Sequence, residues 1–246
     1  MAQAEEEGIE ILGINDHYTT AGYEPFAAAC REARICPLFS MEAVALDAPS
    51  RDRGIRLNDP SNPGRCYFTA KSVTRELPGG SPHAHLLAGM RRALTARNAA
   101  IVEKLSDHCA ACGLPVSLSM DEVEALTPAG NTTERHVIQV LADKLSALDE
   151  PDAAIETLCE TASPGTNDPA TLQNILRGKL IKAGCPDYVE ESPDAYASLD
   201  DMHALYLAMG AVPLYPVLGN PETEGEADIP ELISWLEARK VYAIEV

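Results

Sequence analysis

Gly8-Ile9-Glu10-Ile11-Leu12-Gly13-Ile14-Asn15-Asp16-His17-Tyr18-Thr19 reads as an apolar strand that stops on a carboxylate and an imidazole. A helical stretch follows, and then a second apolar strand, Leu38-Phe39-Ser40-Met41-Glu42-Ala43-Val44, which carries Glu42. Successive parallel strands of a strand-helix-strand unit bring their carboxyl ends side by side. Asp16, His17 and Glu42 are therefore expected at one mouth of a sheet. Imidazole nitrogen and carboxylate oxygen are donors that divalent metals accept, so the pattern points to a metal site.

Outward from this unit the periodicity sets the organisation. Residues 22–34 are predicted to be an amphipathic helix with Phe26, Ala29 and Ala33 on one side, and Pro25 falls in its first turn. After Glu42 comes a polar, turn-rich segment, 47–65, containing Asn58-Asp59-Pro60-Ser61-Asn62-Pro63-Gly64, and then a short strand at 66–72. From about His85 the period is helical, over 86–112, 121–126, 132–148, 153–159 and 169–183, with a short strand allowed at 116–118. Ser119-Met120-Asp121-Glu122 has capping-box spacing, and Asn131 to Thr133 followed by Glu134 suits a helix start. At Ser198 the α/β pattern resumes, with a helix to Met209, a strand at 211–218, a helix at 229–239 and a strand at 241–246. The expected domains are an α/β portion, 1–84 and 196–246, and an inserted helical subdomain, 85–195.

Composition excludes several classes. The 246 residues are 46% hydrophobic, enough for a sizeable core, yet no apolar run approaches the roughly 18 residues of a membrane span. The start, Met1-Ala2-Gln3-Ala4-Glu5-Glu6-Glu7, lacks the basic and apolar regions of a signal peptide, so a soluble, cytoplasmic protein is expected. Seven cysteines, an odd number scattered through helices and strands, fit a reducing compartment better than a disulfide framework. With 19 basic and 38 acidic residues the net charge is −19, which repels a phosphate backbone and argues against nucleic acid. A phosphorylated small molecule would need metal ions to be held.

Other candidates read as structural. His83-Ala84-His85 follows the loop Leu77-Pro78-Gly79-Gly80-Ser81-Pro82 and not an apolar strand, so it is expected at the start of a helix. Cys109-Ala110-Ala111-Cys112 lies at a helix end with no second such pair, which suggests structural cysteines. Arg91, Arg92, Arg97 and Lys104 form a basic helical stretch that could hold a substrate phosphate or pair with surface carboxylates, and pairing is the stronger reading. Lys71, at a strand end, is a similar candidate. Trp235 with Leu232 and Leu236 is expected to cover the barrel of strand-helix units.

In words and order the motif around Asp16-His17 and Glu42 resembles the polymerase and histidinol phosphatase (PHP) superfamily of metal-dependent phosphoesterases. Residues 201–216, with a helix, Gly210, a strand and Tyr215-Pro216, resemble that family's later segment leading to a His-Pro pair. Residues 231–246 resemble its next unit, which ends on Ile244-Glu245-Val246. The resemblance covers about 8–46 and 198–246. It implies an α/β fold, a partial or distorted βα barrel (TIM-like) with a helical insertion. It also implies divalent metal ions (Mn, Fe or Zn), His17 and Glu42 as metal ligands, and Asp16 as a catalytic residue that steers the imidazole or bridges. Tyr215 stands where the family has a histidine, and the family's first and last motifs would fall before residue 1 and after Val246, so the chain looks like a segment of a longer barrel. The implied activity is hydrolysis of a phosphate ester on a small molecule, weak or incomplete here. The alternative is a non-catalytic degenerate barrel that binds a ligand, or a fragment that needs a partner chain.

Overall fold

The computed structural model describes every residue except 129, 130, 164, 166, 167 and 221. The chain divides into two compact units, Met1–Met90 with Tyr196–Val246, and Arg91–Ala195. Among the described residues no helix is long and apolar enough to cross a membrane.

The first unit is built on a six-stranded mixed sheet. Its strands are β1 (Ile11–His17), β2 (Cys36–Leu46), β3 (Arg65–Lys71), β4 (Ala197–Ser198), β5 (Val212–Pro216) and β6 (Ala243–Glu245). The order is β1-β2-β3-β5-β6, and β4 pairs with β2. The β1–β2, β2–β4 and β5–β6 pairs are parallel, whereas β2–β3 and β3–β5 are antiparallel. Ala45 opposes both Cys66 of β3 and Ala197 of β4, so β4 shares the edge of β2 that β1 uses, beyond the point where β1 stops.

The expected barrel is not shown. A barrel of that kind is all-parallel and closed, but here the pairing path ends at β1 and at β6, and β3 runs against both neighbours. The cause is the segment between β2 and β3. The Asp47 amide donates to the Gly64 carbonyl at 2.8 Å, so the chain re-enters the sheet beside the point where it left and must return antiparallel. Gly64 makes this possible with φ of +72°, and a Cβ there would lie 2.5 Å from the Arg51 backbone nitrogen. Asp47 also caps the short helix Ala48–Asp52 through the Ser50 amide, and it accepts from the Arg239 guanidinium at 2.6 Å. Burial would raise the Asp47 carboxyl, but those hydrogen bonds and the Arg239 charge hold it below the usual carboxylate range.

Three helices cover one face of this sheet. Tyr23–Glu32 sets Tyr23 and Phe26 against Phe39, with ring centroids 4.9 and 6.4 Å apart. Leu199–Ala208, capped by Ser198, stacks Tyr206 on Phe68 at 5.1 Å and donates its hydroxyl to the Phe68 carbonyl at 2.7 Å. Ile229–Ala238, capped by Asp228, sets Trp235 edge-on to Tyr215 at 5.8 Å. Cross-strand partners share a face and neighbours along a strand alternate. Phe39, Met41, Ala43, Phe68, Ala70 and Tyr215 therefore form the helix-covered face, while His17, Glu42, Thr69, Lys71 and Leu214 lie on the other.

The second unit, Arg91–Ala195, has no strand among its described residues, and 116–118 is irregular. Its core gathers Ile101, Leu105, Ile138, Leu141, Leu145 and Ile155. The helix Pro82–Ala111 begins just before His83 and His85, which fall in its first turn. Ser119 and Glu122 form the capping box of Met120–Ala125, and Thr133 stands at the N-cap of Glu134–Ser146. Pro169–Leu176 runs directly into a π-helical turn, Arg177–Ile181.

Candidate functional site

The β1–β2 register places His17 opposite Glu42, at the carboxyl end of β1. The His17 Nε2 and Glu42 Oε1 atoms are 3.2 Å apart, with the imidazole about half exposed and the carboxylate largely covered. Glu42 in turn opposes Thr69, whose buried hydroxyl donates to Glu42 Oε2 at 3.5 Å. One carboxylate oxygen thus faces the imidazole, and β3 holds the other.

Tyr18 fixes the strand end on which His17 sits, a role that the sequence did not reveal. Its amide donates to the Glu42 carbonyl at 2.9 Å, and its hydroxyl accepts from the Val44 amide at 2.8 Å. These bonds tie the residue after His17 across the strand that carries Glu42. They hold Tyr18 buried at φ of +56°, a left-handed conformation that costs a non-glycine residue about 1 kcal/mol or more. The position immediately after Asp16-His17, at the end of an apolar strand, was the available signal, since a large residue there can turn the chain out of the strand.

Asp16 is not brought to this pair. It opposes the buried Met41 and so faces the helices. A Cβ on Gly22, at the start of Tyr23–Glu32, would lie 2.6 Å from Asp16 Oδ2, which places the carboxylate against that helix N-terminus, where the helix dipole favours negative charge. Burial raises the Asp16 carboxyl above its ordinary range, and the neighbouring His17 charge acts against this. Among the described residues the buried Tyr23 hydroxyl has no hydrogen-bond partner, and its phenol is pushed up by burial and then by Asp16.

Tyr215 is also on the helix-covered face. It is fully buried and donates to Glu226 Oε1 at 2.9 Å, while the same carboxylate accepts from the Leu218 amide at 3.1 Å. Burial, then Cys66 and Glu226, pushes its phenol far above the ordinary value. It is a core residue and not a substitute ligand beside His17. Lys71 does lie on the site's face, with Nζ 3.0 Å from Glu245 Oε2. In the helical unit Arg97 pairs with Glu134 and Glu191, and Lys104 donates to the Tyr188 carbonyl, so both serve that unit's packing. Cys109 is a buried free thiol, raised to about 11 chiefly by burial.

A divalent ion about 2.0 to 2.2 Å from each nitrogen or oxygen donor sets neighbouring donors roughly 3 Å apart. The 3.2 Å between His17 and Glu42 fits one edge of such a sphere. Among the described residues no group of three or more His, Cys, Asp or Glu side chains converges to complete it.

No family model matches the chain. No curated protein matches it in sequence. Solved structures resemble it in fold, among them the following two. One is a proposed metal-dependent phosphoesterase from Bifidobacterium adolescentis, with a TM-score of 0.65 and 19% identity over 99% of this chain and 69% of that one. The other is an amidohydrolase from Chromobacterium violaceum with bound sulfate and no metal, with a TM-score of 0.62 and 17% identity over 99% of this chain and 68% of that one. The chain therefore shares its fold with hydrolases of this kind, at low sequence identity.

Proposed function

We propose that this chain is a PHP-like, metal-dependent phosphoesterase acting on a phosphorylated small molecule, with His17 and Glu42 as its metal ligands. The observation that carries the reading is the 3.2 Å approach of an imidazole and a carboxylate from adjacent parallel strands. The fold likeness to a metal-dependent phosphoesterase supports it, as does the sulfate of the second neighbour, an oxyanion of phosphate's shape. A divalent ion (Mn, Fe or Zn), when bound, supplies Lewis acidity toward phosphoester oxygens and lowers the pKa of water. His17 and Glu42 present the two donors, Thr69 orients the second Glu42 oxygen, and Tyr18 fixes the strand end that bears the imidazole. Asp16, on the other face, anchors the start of the following helix and contributes charge near His17 without touching substrate. The rest of the coordination sphere falls to water and substrate oxygens, so binding and turnover are weak.

The test is zinc or manganese titration of the chain followed by turnover of a generic phosphomonoester. Binding that His17→Ala abolishes, together with slow hydrolysis lost in the same variant, supports the assignment. A competing reading, a non-catalytic ligand-binding relative, is favoured by the missing third donor among the described residues. It prevails if metal binds and no ester is cleaved.

A further inference from the structure

We propose that Lys71 holds the phosphoryl oxygens of the substrate beside the His17–Glu42 pair, and that Glu245 occupies its ammonium until the anion arrives. This rests on the phosphoesterase reading above. Lys71 follows Thr69 by two residues on β3, so the two side chains share a face, and Thr69 is the register partner of Glu42.

The ion pair shows which way the Lys71 side chain leans. Lys71 opposes Val212, and Glu245 opposes Pro216, four positions further along β5, which is about 13 Å at a strand's rise per residue. Their charged tips are nevertheless 3.0 Å apart. The sheet's twist shortens that separation and the two side chains lean toward one another, Lys71 toward the level of Leu214, which opposes Thr69 and so is level with Glu42. Lys71 stands on β3, one strand spacing, about 5 Å, from β2, and a turn of its flexible stem over Thr69 brings the ammonium toward Glu42. Arg65, the β3 cation at the other end of the strand, opposes Leu46 and stacks on the Tyr196 ring at 4.3 Å.

Charge supplies the reason for such a group. The chain carries −19, and Asp16, Glu42 and Glu245 all lie at this end of the sheet system, so a phosphate dianion is repelled unless a cation meets it. The Lys71 side chain is 29% exposed and that of Glu245 is 52% exposed, so solvent reaches the pair and a dianion can displace the carboxylate. Glu245 then acts as a weak internal competitor that keeps the ammonium aligned over the face.

The test is calorimetric titration of the whole chain with inorganic phosphate, without added metal, followed by phosphomonoester kinetics with it. Lys71→Ala is expected to weaken phosphate binding about tenfold, Lys71→Arg to preserve most of it, and Glu245→Gln to tighten it several-fold. In the kinetics Lys71→Ala raises KM more than it lowers kcat, and zinc affinity stays at the wild-type level. The proposal is overturned by wild-type chain that binds no phosphate, by affinity indifferent to Lys71→Ala, or by Glu245→Gln weakening binding as much as Lys71→Ala, the mark of a purely structural ion pair. The failure of the underlying reading looks different: phosphate binding that depends on Lys71, with no metal bound through His17 and no ester cleaved.

Discussion

At the scale of single residues, strand alternation decides which side chains can cooperate. His17 and Glu42 are register partners and meet, whereas Asp16, adjacent in sequence, faces the helices. The same alternation buries Tyr215 against Trp235 and Glu226. Tyr215→Phe is therefore expected to leave divalent-metal affinity unchanged while lowering stability by about 1 to 3 kcal/mol, because Glu226 loses a buried donor. Equal loss of metal affinity in Tyr215→Phe and Glu42→Gln, measured by zinc titration, would contradict this placement. Glu134 makes a second prediction. Burial alone would raise its carboxyl, but hydrogen bonds and charge from Lys182 and Arg177 hold it at about 2 against an ordinary 4.5. Its contribution is present in full above pH 4.5 and fades as the pH falls toward 2. Glu134→Gln should destabilise the helical unit at pH 7 by up to about 3 kcal/mol, and the difference from wild type should vanish near pH 2. Urea midpoints across that range give the answer, and a difference independent of pH would remove Glu134 as its source.

At the scale of elements, local signals and long-range pairing behave differently. The capping box at Ser119 and Glu122, the helix after Ser198 and the strand-helix-strand unit at β1 and β2 were all legible, because each depends on spacings of a few residues. The direction of β3 was not. It depends on the Asp47–Gly64 bond at the ends of an irregular segment, whose turn residues announce a loop but not where the loop returns. The two-residue strand β4 is too short to leave a pattern. Gly64→Ala should cost about 1 to 3 kcal/mol, since it combines a positive φ with a Cβ 2.5 Å from the Arg51 backbone nitrogen. A thermal midpoint equal to wild type would show that the loop relaxes freely and does not direct β3.

At the scale of the whole molecule, the chain carries two compact units, and the core of the helical one is its own. Leu141 is fully buried there, and Leu141→Ala should cost about 2 to 5 kcal/mol through lost burial and a residual cavity. Zinc affinity measured under native conditions should be unaffected, because the His17–Glu42 site belongs to the other unit; a matching fall in affinity would show that the two units are coupled. The sequence by itself determined the strand that ends on Asp16-His17, the arrival of Glu42 at the same level, the helical character of the middle of the chain and the acidic balance. These follow from periodicity, caps and charge, which neighbouring residues carry. Only the tertiary structure decided that the sheet is open and mixed, that helices cover the face bearing Asp16 and Tyr215, and that Lys71 reaches Glu245 across the face bearing His17 and Glu42. The physical reason is that a strand's period of two separates its faces without marking which one is covered, and backbone ladder bonds form alike whichever distant strand arrives.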